Sequence, residues 1–171
     1  MGPVSAEIEI DVPREQAFAV LADLAARPSF TDHFLTGFHL TRIDAVGVGA
    51  GARFRAQGPL RKVWMDTTIV ALEEPFRIVE EGCGGRGNRI RNHTVWELKE
   101  APGGLTAVRV SHWTEPAAID RALELLSLGS VWQARGWRGA LRRLRDNLEA
   151  DRPAVERIAV AGGNRYATGI P

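Results

Sequence analysis

Cysteine is almost missing from this chain. Cys83 stands alone among 171 residues, so no internal disulfide can form, and a reducing cytoplasm is the expected setting. Charge of one sign is missing as well: 22 Lys and Arg against 21 Asp and Glu leave a net of +1. That balance supplies no overall electrostatic drive toward nucleic acid or an anionic membrane. No apolar run approaches the roughly 18 to 20 residues of a membrane span, and the N-terminus lacks the basic-then-apolar pattern of a secretion signal. Asn92-His93-Thr94 therefore reads as a chance sequon. Met1-Gly2 does not complete a myristoylation start, because Ala6 stands where Ser or Thr is needed.

Three chemistries are excluded by missing patterns. No two His, Cys or acidic residues fall in a recognised metal-ligand spacing; His33 and His39 lie across an expected turn, so no metal is expected. Gly47, Gly49 and Gly51 precede a strand, Arg53-Phe54-Arg55-Ala56, where a dinucleotide site needs a helix N-terminus to hold the pyrophosphate. Gly-x-Ser-x-Gly is absent. Ser111 and His112 are adjacent on a strand and point to opposite faces, so they form no nucleophile–base pair. No cofactor is expected.

What the chain does have is periodicity. Its last long helix, expected from about Asp120 to Ala150, places Ala134, Trp137, Leu141, Leu144 and Leu148 in one stripe. Arg135, Arg138, Arg142, Arg145 and Glu149 occupy the other side. Such a helix would be roughly 45 Å long and needs a matching apolar surface. Upstream, Val4 to Ile10 alternates as a half-buried strand. Asp11-Val12-Pro13 then opens a helix, with Asp11 as the expected N-cap. Pro28 interrupts it, and Phe30 to Phe34 is expected as a second short helix or turn. Six strands follow, at about 38–43, 52–57, 62–72, 76–82, 89–99 and 105–114. Short turns between them favour sequential antiparallel pairing. The fold class is α+β: a curved antiparallel sheet of about seven strands on a long helix that does not fill it, leaving a pocket. Residues 1–150 form one domain, and 151–171 lose periodicity as a peripheral tail.

Specific stretches carry a resemblance. They are Ile8-Glu9-Ile10-Asp11-Val12-Pro13-Arg14-Glu15-Gln16-Ala17-Phe18, Gly49-Ala50-Gly51-Ala52-Arg53-Phe54-Arg55, Glu74-Pro75-Phe76-Arg77-Ile78, and Leu141 to Glu149. Over residues 4 to 150 the chain resembles the START-related (SRPBCC) superfamily, in its polyketide cyclase/dehydrase and lipid-transport branch. The resemblance implies a helix-grip fold and a cavity for a small, largely hydrophobic molecule such as a lipid, polyketide or aromatic metabolite. Members of that branch bind such molecules, and only some catalyse.

Strand phase nominates the site. Arg109 facing water turns Val108, Val110 and His112 inward; Glu97 and Lys99 facing water turn Thr94, Trp96 and Leu98 inward. Val63, Met65, Thr67 and Ile69 form the better inward set of the middle strand, which leaves Asp66 outside. The expected cavity residues are Phe54, Met65, Thr94, Trp96, Val110, His112 and Trp132, with Arg91, like Arg55, a candidate charge at the mouth. Both arginines also read as solvated strand-face residues. His112 is the one ionisable side chain read as facing in. It is either a core histidine held by a hydrogen bond or a catalytic acid/base acting on a bound carbonyl compound. Trp137, lying in the leucine stripe, reads as core. Trp64 and Trp113 face outward, where they suit a homodimer contact. Three functions stay open: a binding module, an enzyme that folds a reactive carbonyl substrate, and an interaction protein working through the outer tryptophans or the arginine face.

Overall fold

A computed structural model of the chain describes residues 3–58, 62–115 and 129–150. Within them run β1 (Val4–Ile10), α1 (Arg14–Ala22), α2 (Pro28–Thr31), β2 (Leu35–Leu40), β3 (Gly51–Gln57), β4 (Lys62–Glu73), β5 (Arg77–Gly84), β6 (Ile90–Glu100), β7 (Thr106–Glu115) and α3 (Gly129–Glu149). All pairings are antiparallel, in a seven-stranded sheet of order β1-β7-β6-β5-β4-β3-β2. Only β1 leaves its sequence neighbour, and the α1–α2 segment makes that crossing. The sheet curls into a half-barrel, and α3 lies against its inner side.

Period-two burial builds the inner face. Val108 and Val110 on β7, Trp96 and Leu98 on β6, Ile78 on β5 and Ile69 on β4 are all buried. The stripe on α3 meets this face through Trp137, Ala140, Leu141 and Leu144, with Ala134 and Leu148 partly buried at its ends. Arg135, Arg138 and Arg142 remain exposed. Twenty-one residues of helix span about 31 Å at 1.5 Å per residue. The expected stretch from 120 to 128 lies outside the described residues, as does the expected tail.

Two local expectations are corrected. Helix α1 is not capped by Asp11: Pro13 holds the cap position, its carbonyl accepts from the Gln16 and Ala17 amides, and no side chain caps it. The extended backbone of Pro13 (φ −57°, ψ 142°) carries the chain past Asp11 before the helix starts. The Asp11 amide instead donates to Glu149 Oε1 at 3.0 Å, tying β1's end to α3. Strand β2 begins at Leu35 and ends at Leu40, earlier than the sequence pattern places it. Gly37 sits at φ +61°, and the β2–β3 register shifts between Thr36 and His39, so simple alternation breaks there. Ile43, 89% exposed, belongs to the following loop.

Candidate functional site

The helix leaves part of the half-barrel empty. A cavity of about 140 Å³ lies between α3 and the inner sheet face. Phe34, Phe38, Phe54, Val63, Met65 and Trp137 supply its apolar wall. Trp137 joins helix to sheet at one side: its ring centroid lies 5.1 Å from Phe34, 5.5 Å from Trp96 and 5.4 Å from His112.

Beside that wall runs a polar line dictated by strand register. Glu80 on β5 pairs with Thr94 on β6, which pairs with His112 on β7. Residues directly opposite share a sheet face, so all three point inward. His112 Nδ1 and Thr94 Oγ1 are hydrogen-bonded at 2.9 Å. Removal from water pushes the His112 imidazole down to about 4, with the His93 charge adding to the shift. The ring is therefore neutral near pH 7, with one donor and one acceptor nitrogen.

Glu80 is held more tightly. Its Oε1 accepts from Arg27 Nη2 at 2.7 Å and from Trp96 Nε1 at 2.8 Å, while its Oε2 accepts from Thr67 Oγ1 at 3.1 Å. Arg27, from the turn between α1 and α2, also donates to the Leu21 carbonyl at 2.8 Å. Its guanidinium carbon lies 4.9 Å from the Trp96 ring centroid. Both partners of the ion pair are almost wholly buried, Arg27 at 3% and Glu80 at 2% exposure, and both line the cavity.

The structure sorts the expected site residues. Phe54, Met65, Thr94, His112 and Trp132 line the cavity. Val110 is buried behind the wall. Trp96 and Trp137 exchange the roles read from sequence. Trp96 is 0% exposed and serves as a donor to Glu80, whereas Trp137, though in the leucine stripe, forms cavity wall. Arg91 is corrected outright: it is exposed on the outer face, because its inward neighbours on β6 are Ile90 and Asn92. Arg55 also lies outside, 5.1 Å over the exposed Trp64 ring. Asp66 faces outward, paired with Arg53 at 2.7 Å.

Sequence reasoning missed Arg27 and Glu80, so His112 is not the cavity's one ionisable side chain. A signal for Glu80 existed, since Ile78 facing in implies Glu80 facing in two residues later. None existed for Arg27, which sits outside any periodic segment. Among the described residues no group of His, Cys, Asp and Glu could hold a metal ion, and no helix is long and apolar enough to cross a membrane.

A curved antiparallel sheet gripping a C-terminal helix, with short helices inserted after its first strand, defines the helix-grip class. The chain belongs to the family described as polyketide cyclase / dehydrase and lipid transport, whose model matches residues 1–150. Its fold is that of the DR_A0006 protein of Deinococcus radiodurans (23% identity, 88% of this chain and 98% of that one, TM-score 0.60). It is likewise that of TTHA0849 of Thermus thermophilus (19% identity, 88% and 99%, TM-score 0.67). DynU16, a protein of the dynemicin biosynthetic locus, matches 94% of this chain with 51% of its own (15% identity, TM-score 0.61). No curated protein sequence matches the chain.

Proposed function

We propose that the protein binds a small, largely hydrophobic molecule in the cavity between the sheet and α3. The observation that carries this reading is a largely aromatic and aliphatic chamber, crossed by the Glu80–Thr94–His112 polar line with Thr67, Asn92 and Thr114 beside it. Its volume, about 140 Å³, is close to that of an engineered cavity of ~150 Å³ that accepts benzene. A guest with one ring or a short acyl chain fits this volume. Burying ~150 Å² of apolar guest surface supplies about 4 kcal/mol at 25 cal/mol/Å². Association costs of similar size cancel much of that, so the polar line decides which guests stay.

The alternative is a cyclase or dehydrase that folds a reactive carbonyl substrate, with His112 as acid/base. Family membership keeps it open. The neutral His112 favours binding. With its pKa lowered to about 4 by burial, the ring is mostly unprotonated at pH 7, which makes it a poor general acid there. It serves better as a hydrogen-bond partner.

Trp132 and Trp137 line the cavity and report on its contents. Titrating the protein with neutral single-ring ketones and phenols is expected to change tryptophan emission saturably and to raise Tm. Ala56 lines the same space, so Ala56→Trp should fill it, abolish Tm stabilisation by the ligand and leave a cooperative unfolding transition. A filled variant that responds as the wild type does would remove this reading.

A further inference from the structure

Arg27 and Glu80 form a buried ion pair on the wall of a cavity that is otherwise mostly apolar. Three donors (Arg27, Trp96 and Thr67) hold the Glu80 carboxylate, so it is fixed on both oxygens. Arg27 is less complete. Its Nε–H is buried and has no hydrogen-bond partner among the described residues. A buried donor without an acceptor is unfavourable, so the guanidinium is less fully satisfied than the carboxylate it faces.

We propose that the Arg27–Glu80 pair sets the charge preference of the cavity, admitting neutral guests that carry an acceptor oxygen and turning carboxylates away. This rests on the cavity being a guest site. The positive charge of Arg27 is already matched by Glu80. A guest carboxylate drawn to Arg27 would lie beside a second carboxylate that Trp96 and Thr67 prevent from swinging aside, in surroundings that screen charge poorly. Were the guest to displace Glu80 from Arg27, the Glu80 charge would be buried without its partner. A ketone, aldehyde, amide or phenol oxygen meets neither obstacle. It accepts from the guanidinium, with the neutral His112 and the Thr94 hydroxyl available along the same polar line. Glu80 is thus a specificity-determining residue: it converts an arginine that would by itself collect anions into a donor for neutral acceptors.

The test uses three one-ring probes at pH 7.5: acetophenone (neutral, with an acceptor), benzoate (anionic) and toluene (neutral, no acceptor), with affinities from calorimetry or tryptophan emission. Wild type is expected to bind acetophenone at least about tenfold more tightly than benzoate and at least about threefold more tightly than toluene. Glu80→Gln leaves the Arg27 charge unmatched, so benzoate affinity should rise by about tenfold or more while acetophenone shifts by less than about threefold. Because removing one partner of a buried pair can unfold a protein, the double variant Arg27→Met/Glu80→Met is measured alongside; replacing both with apolar residues is commonly tolerated. There the preference for acetophenone over toluene should shrink by at least about threefold, Thr94 and His112 being left to meet the oxygen. Equal binding of benzoate and acetophenone by wild type, a folded Glu80→Gln protein that still rejects benzoate, or a double variant that keeps the acetophenone preference undiminished would each overturn the proposal while toluene binding leaves the cavity reading standing. If none of the probes, toluene included, binds any form, the cavity reading falls and takes the proposal with it.

Discussion

Burial holds the His112 imidazole at about 4, well below its ordinary 6.5, so the folded and unfolded chains bind protons differently in weak acid. Below pH 6.5 the unfolded chain protonates this ring, whereas the folded chain resists until about pH 4. The unfolded state holds more protons throughout that window. Stability is therefore fully present above pH 6.5 and falls as pH drops toward 4, by up to about 1.4 kcal/mol per pH unit from this group. His33, lowered chiefly by burial, adds in the same direction. Tm measured from pH 7.5 to 4.5 should decline, and His112→Gln should decline less steeply. A slope unaltered by the substitution would place the titration in other groups. His112 and Thr94 were legible because strand alternation is local. Glu80 was not, although its phase pointed inward: a glutamate next to Glu81 on a strand reads as solvated, since an unpaired charge is rarely buried. Its partner Arg27 lies 53 residues away in sequence, and only their meeting explains both.

Helix α3 was legible because its stripe repeats every three to four residues, and Trp137, Leu141 and Leu144 of that stripe are buried in the core. Less legible was the reason for a glycine inside that stripe. A Cβ at Gly136 would lie 2.5, 2.8 and 3.0 Å from three atoms of the Phe34 ring. Phe34 in turn packs edge-on against Trp137, so its ring has little freedom to move aside. Gly136→Ala would gain about 1 kcal/mol of helix propensity, against roughly 1 to 3 kcal/mol for overpacking. The steric effect should win by about 1 kcal/mol. Urea unfolding should show a lower midpoint with an unchanged m-value. A higher midpoint would mean that Phe34 has room to yield. The early start of β2 was hidden for a related reason: Gly37 at φ +61° breaks the alternation on which strand reading depends.

Over the whole molecule, every described element and the family match lie within residues 1–150. We propose that these residues form the folding unit. A chain ending at Ala150 should unfold cooperatively, with a Tm within a few degrees of the full chain; a loss of ten degrees or more would show that residues 151–171 contribute to the fold. The outward tryptophans lie apart on the sheet. Trp64 is on β4 and Trp113 on β7, with β5 and β6 between them, and Trp113 stacks on His93 at 4.9 Å. The sequence by itself determined the order of elements, the antiparallel hairpins and the helix stripe, because periods of two and of three to four residues record which side of each element meets the core. Only the tertiary structure decided how much space the helix leaves and which charges enter it. Cavity size depends on how curved surfaces meet, and a buried arginine is tolerable only where a carboxylate from a distant strand comes to meet it.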